Sequence, residues 1–449
     1  MARVTALPQP IEASTETPST DTAGATPRAA AEGSTHVSDN DVAGHAGTRG
    51  RMAGAFEPSP EQGPMPPSEI TGHFSDDNPE MVQFVDADGT RLATNETNAP
   101  YAQIVEDMTS EDARTIYRDL VLVRRIDAEG FALQRQGELG LWPSLFGQEA
   151  AQVGAGRALR RQDYAFPGYR EHGVAWCRGV DPVSLFGMFR GVNHGGWDSN
   201  ENNFHLYTIV IGNQMLHAAG YAMGIAADGD MATGDPDRDA AVMAFTGDGG
   251  TSQGDFNEAL VFAAVAQSPV VFFVQNNQWA ISEPNDKQFI IPPYQRARGF
   301  GFPGVLVDGN DPLATYAVAK DALDKARAGQ GPTLIEAYTY RMGAHTTSDD
   351  PTKYRSSAEV EIWKHKDPIK RMRGFMTERG HADAEFFDAV DVEADEIAAR
   401  IRKACQEMPD PELPTMFDHQ YTEPHPLVDA EREEFLAYHA GFAEEGGQA

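Results

Sequence analysis

The chain runs to 449 residues, 41% of them hydrophobic, enough for one large or two ordinary domains with a substantial core. A formal charge of -32 at pH 7 speaks against nucleic acid as a partner and disfavours anionic membrane surfaces. With only Cys177 and Cys405 there is no disulfide framework and a reducing cytosol is expected; the longest apolar stretch, 259–274, is broken by Gln267, Ser268 and Pro269 and is too short to span a bilayer.

Residues 1–70 are dominated by Ala, Pro, Thr, Ser and Gly, with four arginines, no lysine and one aromatic, Phe56. Such a segment cannot bury enough apolar surface to offset its ordering entropy, so a disordered tail is expected over 1–75. It has no apolar core of a secretory signal, and its acidic residues (Glu12, Glu16, Asp21) argue against a mitochondrial presequence. Order is expected from near Asn78, in an N-terminal extension over 76–108, where Met81-Val82-Gln83-Phe84-Val85 and then Asp86-Ala87-Asp88-Gly89 read as strand and turn. Thr109, with Asp112 three residues on, opens a helix carrying Ile116, Leu120, Val123 and Ile126 on one face.

From about 145 to 340, helical segments alternate with short apolar runs. This predicts an α/β fold, a mostly parallel doubly wound sheet with helices on both faces, within a domain over 109–366. Beyond Asp367-Pro368 the chain turns helical and charged (367–449). An exposed helix is expected over 388–407, ended by Pro409, Pro411 and Pro414, with the tail from 415 packed on the body.

The most informative stretch lies at 241–277. Ala241-Val242-Met243-Ala244-Phe245 leads into Gly247-Asp248-Gly249, and Val270-Val271-Phe272-Phe273-Val274 ends in Gln275-Asn276-Asn277. Two buried-strand signals bracketing a helix make a right-handed parallel crossover unit. Both polar tips then emerge at the carboxyl edge of the sheet, where open α/β folds bind ligands. A carboxylate on one tip and amide oxygens on the other suit Mg²⁺, which keeps phosphate oxygens and takes few protein ligands. The glycines allow backbone N–H groups to approach a phosphate.

This constellation resembles the thiamine diphosphate signature, GDG followed by a double Asn, with Asp248 and Asn277 standing 29 positions apart as in that signature. Further pieces are Gly147-Gln148-Glu149-Ala150, Tyr169-Arg170-Glu171-His172-Gly173, Val307-Asp308-Gly309-Asn310-Asp311, the loop from Tyr340 to Pro351, and Tyr354-Arg355. Together they make residues 100–420 similar to the alpha subunit of the decarboxylating component of 2-oxo acid dehydrogenase complexes. The resemblance implies that Asp248, Asn277 and the Trp279 carbonyl hold Mg²⁺. It implies that Gly249 and Gly250 bring N–H groups to the diphosphate of thiamine diphosphate, that Tyr169 and Arg170 bind it, and that the backbone of Ile209 and Ile211 meets the aminopyrimidine. His345, in the loop matching the family's active-site loop, becomes the residue for proton chemistry; a histidine ordinarily titrates near neutrality. Asp349, Asp350, Arg341 and Arg355 around it suggest an ion-paired loop.

Three positions depart from relatives within the family. Thr346 follows the loop histidine where mammalian enzymes carry a regulatory serine, with Ser348 close by; Gln275 stands where the mammalian branched-chain enzyme has an arginine, which removes one phosphate contact; and Pro143 stands at a position that is histidine in the mammalian pyruvate enzyme. The family takes its activating glutamate from a second chain, so an α₂β₂ heterotetramer with a beta subunit is implied, delivering acyl groups to a lipoyl-bearing acyltransferase. The implied reaction is oxidative decarboxylation of a 2-oxo acid with reductive acylation of lipoyl groups. Branched-chain substrates such as 3-methyl-2-oxobutanoate lead, pyruvate is the alternative, acetoin cleavage a lesser one, and a non-catalytic scaffold is disfavoured by intact Asp248, Asn277 and His345.

Overall fold

The computed structural model describes residues 78–193 and 196–445, all within the compact unit Pro64–Ala449. The tail expected over 1–75 lies outside the described residues. Five strands form one sheet: β1 (Tyr164–Phe166), β2 (Val242–Gly247), β3 (Val270–Asn276), β4 (Gly304–Asp308) and β5 (Thr333–Tyr338). Their order is β1-β2-β3-β5-β4, and every neighbouring pair is parallel. Strands of such a sheet are covered on both sides and so read as continuous apolar runs.

Side chains alternate between the two faces. Met243, Phe245, Val271, Phe273 and Ile335 join a core with helices Ser110–Arg135, Glu149–Ala158, Pro312–Arg327 and Ala384–Glu407. Val242, Ala244, Val270, Phe272, Val274 and Leu334 join the other, with helices Asn213–Asp228, Gly254–Ala266 and Pro293–Phe300. The doubly wound α/β fold is therefore as read from the sequence.

Thr109 caps Ser110–Arg135 through a reciprocal capping box with Asp112. The 81–85 segment forms no strand; it makes single bridges, Val82 to Val307 and Val85 to Arg91. Its backbone is instead taken by Asp311, whose Oδ2 accepts from the N–H groups of Phe84 and Val85 at 2.6 and 2.7 Å.

Two expectations for the C-terminal region need correction. The helix expected as exposed over 388–407 starts at Ala384 and buries Phe387, Val390, Ala394, Ala398, Ile401 and Cys405. Its partner is Ser110–Arg135, and ion pairs Arg118–Glu393, Arg125–Asp395 and Arg402–Glu129 flank the contact. The apolar spacing at three and four residues carries this packing. The tail from 415 does not pack on the body as expected. Thr415–Asp418 and Pro426–Glu445 pair with each other through Phe417–Phe435 and Arg432–Asp418, and none of residues 415–442 is buried. Among the described residues no helix is long and apolar enough to cross a membrane.

Candidate active site

Because β2 and β3 are parallel neighbours with Gly247 level with Gln275, the turns that follow them meet at one edge. A cavity of about 490 Å³ opens there. Tyr169, Arg170, Ile209, Ile211, Asp248, Gly249, Gly250, Asn277, Trp279 and His345 all line it. Sequence positions from 169 to 345 are thus gathered in one place.

The turn after β2 has no room for side chains at two of its glycines. A Cβ on Gly250 would lie 2.0 Å from Thr246 Oγ1, and one on Gly249 2.7 Å from Ala280 Cβ. Asp248 is 1% exposed, and burial raises its carboxyl above the usual range, against a hydrogen bond from Gln288 and the charge of Arg341. Gln288 Nε2 donates to its Oδ2 at 2.8 Å. Asn277 accepts from the Trp279 N–H at 3.2 Å and donates to Gln148 Oε1 at 3.0 Å. The Trp279 carbonyl accepts from Arg341 Nη1 at 2.8 Å.

Gln278, between Asn277 and Trp279, has φ +71, a left-handed conformation that a side chain ordinarily avoids. Three contacts enforce it. Its N–H donates to Asn276 Oδ1 at 3.1 Å, its amide to the Thr339 carbonyl at 2.7 Å, and the Arg341 N–H to the Asn277 carbonyl at 3.2 Å.

Arg170 is buried, and its guanidinium does not pair with the side chain of Glu171. It donates to the Ser144 carbonyl and, at 3.2 Å, to His345 Nδ1, and lies over the Tyr169 ring at 5.5 Å. Glu171 instead accepts from Gln275 Nε2 at 2.7 Å, while Gln152 Nε2 donates to Gln275 Oε1 at 3.0 Å. The Gln275 amide is therefore fixed at both ends.

His345 corrects the expectation of titration near neutrality. Burial first, then the charges of Arg170 and Arg341, push its pKa down to about 3, with Asp349 opposing. The ring is neutral at physiological pH. Since Nδ1 faces two guanidinium donors, at 3.2 and 3.4 Å, it accepts, and the proton resides on Nε2. The loop is held by cations on carbonyls rather than by ion pairs. Arg355 donates to the carbonyls of Arg341, Met342 and Gly343, and Arg341 to those of Trp279 and Ile281. Asp349 accepts from the His345 N–H at 2.8 Å and from the Tyr354 hydroxyl, and Asp350 caps the next turn at Thr352.

Sequence reasoning missed Gln148, Gln288, Glu171 and Glu336 as partners of the site, although Gln148 and Glu171 stood inside the family motifs; Arg341 was placed beside His345 but not on the Trp279 carbonyl. Glu336 had no signal, because Thr333–Tyr338 reads simply as a strand. Asp127, buried on Ser110–Arg135, accepts from Trp142 Nε1, Ser144 Oγ and the Leu145 N–H and so fixes the wall beside Arg170. Burial lifts its carboxyl to about 6.

The residues present fit a phosphate-bridging cation. Among the described residues no group of three His, Cys, Asp or Glu could hold a metal, but hard oxygens from one carboxylate, one amide and one carbonyl need no such group. Gln148 Nε2, Gln288 Oε1 and Arg341 Nε are buried around them without hydrogen-bond partners, polar capacity that a hydrated ion and phosphate oxygens can satisfy.

Residues 117–416 match the family described as dehydrogenase E1 component. The chain is 44% identical over 359 residues to 3-methyl-2-oxobutanoate dehydrogenase subunit alpha of Mycobacterium tuberculosis (strain ATCC 25618 / H37Rv), covering 80% of this chain and 94% of that protein. It is 40% identical over 303 residues to pyruvate dehydrogenase E1 component subunit alpha of Staphylococcus aureus (strain N315), covering 67% and 78% respectively.

Proposed function

The chain belongs to the dehydrogenase E1 component family, the thiamine-diphosphate-dependent 2-oxo acid dehydrogenases, as an alpha subunit, and we propose that its substrate is a branched-chain 2-oxo acid such as 3-methyl-2-oxobutanoate. The reaction is oxidative decarboxylation with transfer of the acyl group to a lipoyl carrier. The observation that carries the assignment of residues is the gathering of all ten sequence-predicted positions on one cavity. The branched-chain choice is supported by the 44% relative, which is matched over nearly its whole length; the 40% relative keeps pyruvate as the second reading.

Bound thiamine diphosphate supplies the electron sink for decarboxylation. Asp248, Asn277 and the Trp279 carbonyl would hold Mg²⁺ against its diphosphate. Arg170 would add a planar fork of donors and Tyr169 a hydroxyl. Gly249 and Gly250 would offer N–H groups, and the main chain at Ile209 and Ile211 would meet the pyrimidine. His345, neutral with its proton on Nε2, would donate a hydrogen bond to a developing oxygen charge, and Arg170 and Arg341 behind Nδ1 polarise that donor. We take 109–366 as the cofactor-binding domain and the cytosol as its compartment, in keeping with the free Cys177 and Cys405.

A beta subunit would complete the site. Ile209, Ile211 and Ile281 line the cavity yet are 63%, 38% and 55% exposed. Val261, Phe262 and Val265 of helix Gly254–Ala266 are also exposed, a helix apolar on both sides. Such a surface is covered in an assembly. Co-expression with the beta partner, followed by turnover with an artificial electron acceptor, tests the reading. Higher kcat/KM for 3-methyl-2-oxobutanoate than for pyruvate is expected; the reverse ratio assigns the pyruvate enzyme, and full activity of the alpha chain alone refutes the composite site.

A further inference from the structure

Glu336 is a carboxylate in the middle of an otherwise apolar buried strand, outside the cavity lining, with no role in the chemistry above. It is 1% exposed, and the donors that its oxygens meet are neutral, the Asn276 amide and the Tyr294 N–H. A buried carboxylate is costly, and burial drives its pKa up to about 7, with Asp248 adding to the rise and Tyr294, Asn276 and Arg296 opposing. Both oxygens are nonetheless engaged. Oε1 accepts from Asn276 Nδ2 at 2.6 Å, and Oε2 from the Tyr294 N–H at 3.0 Å.

Asn276 passes the constraint on. Wholly buried, it presents Oδ1 to the Gln278 N–H at 3.1 Å and to Asn285 Nδ2 at 2.8 Å. An amide rotated by 180° would offer NH₂ where the Gln278 N–H needs an acceptor; with Glu336 Oε1 accepting on the Nδ2 side and Asn285 Nδ2 donating on the Oδ1 side, the amide is held from both ends in the orientation that Gln278 requires. Gln278 is the residue at φ +71 whose conformation sets the direction of Asn277 on one side and of the Trp279 carbonyl on the other. A left-handed residue of this kind persists only where its surroundings over-determine it.

We propose that Glu336 is a positioning residue for the cation site: through Asn276 it locks the Asn277-Gln278-Trp279 turn so that two oxygen ligands point the same way. This rests on the Mg²⁺ reading above. It also gives the first asparagine of the pair a task distinct from the second, orientation rather than ligation.

The test uses the complex with the beta partner and measures two constants by titration calorimetry: the Mg²⁺ concentration for half-maximal binding of thiamine diphosphate, and cofactor affinity at saturating Mg²⁺. Glu336→Ala is expected to raise the first about tenfold, the scale of one lost buried charged hydrogen bond, and to change the second by less than about threefold. Glu336→Gln, whose amide oxygen can still face Asn276, should recover most of the loss. Asn276→Ala breaks the same relay one link on and should reproduce the Glu336→Ala result, which keeps the test available if that variant does not fold. A Mg²⁺ requirement within about twofold of wild type in the folded variants, or equal losses in both constants, overturns the proposal. Asp248→Ala runs alongside: if it leaves the Mg²⁺ requirement unchanged, the metal reading itself fails; if it abolishes metal-dependent binding while the Glu336 and Asn276 variants do not respond, only the positioning role fails.

Discussion

At the sheet end of the cavity Asp248, Asn277 and Arg170 are buried and each is gripped by a neighbour, Gln288, Gln148 and Ser144 respectively; at the mouth Ile209, Ile211 and Ile281 lie open to solvent. The difference separates two kinds of requirement. Groups that hold charge need fixed partners on the same chain, since their reorganisation would consume binding energy. Groups that only shape an apolar wall can wait for a second surface to complete it.

Substitutions at the sheet end should therefore strike cofactor binding and those at the mouth assembly. The largest effect is expected for Asp248→Ala. Removing the one carboxylate of the cation site should weaken cofactor binding by about 100-fold, roughly 2.8 kcal/mol. Asn277→Ala, deleting a neutral amide, should cost less; titration calorimetry on the α–β complex compares them, and unchanged affinity in the Asp248 variant contradicts the assignment. Next comes Arg170→Lys. A point charge cannot serve the Ser144 carbonyl, His345 and a diphosphate together, so roughly tenfold weaker cofactor binding is expected despite the retained charge. A lysine variant indistinguishable from wild type would mean that only charge matters there.

The mouth is probed by Ile281→Asp. Ile281 is exposed and sits at φ +56, a conformation that Asp adopts more readily than a β-branched residue, so the isolated chain should be no less stable than wild type. Association with the beta partner, followed by analytical ultracentrifugation, should fall sharply, because a charge would be buried at the contact. Intact assembly would show that this rim is not an interface.

The smallest effects concern protons. His345→Ala should slow acyl transfer to lipoyl groups more than it lowers cofactor affinity, and stopped-flow against calorimetry separates the two. His172 is buried, with a pKa pushed down to about 3 by burial and by Arg170, against its hydrogen bond to the Pro143 carbonyl. A depressed folded pKa means stability fully present above the ordinary 6.5 and lost as pH falls toward about 3. The melting temperature should decline through that window, and less steeply in His172→Gln; parallel curves would remove His172 from the account.

What could be read in the sequence follows the same division. The Asp248–Asn277 pair was legible because a parallel crossover dictates which ends of two strands meet, so two local patterns sufficed. The partners of Arg170 were not, since Ser144 and His345 reach it from 26 and 175 positions away. His345 was found by its loop, but its pKa is set by guanidinium groups that only the fold brings near. The burial of Ala384–Glu407 could have been found: Phe387, Val390, Ala394, Ala398 and Ile401 keep helical spacing beneath the conspicuous charges. Packing of the tail beyond 415 on the body was expected without a pattern to carry it, since no local pattern says whether a partner face exists.

The pairing of helices Ser110–Arg135 and Ala384–Glu407 has a consequence for how the chain is made. Arg125 and Asp395 are 270 positions apart, and the buried Glu129 carboxylate is matched by Arg402 from the same late helix. At about 5–20 residues per second, the first helix leaves the ribosome on the order of 15–50 s before its partner has been synthesised. Throughout that interval Tyr117 lacks the cover of Phe387, and Glu129 lacks one of its two arginines. The body must then finish folding after synthesis, and a nascent chain stalled before residue 384 should be retained by chaperones that a full-length chain escapes.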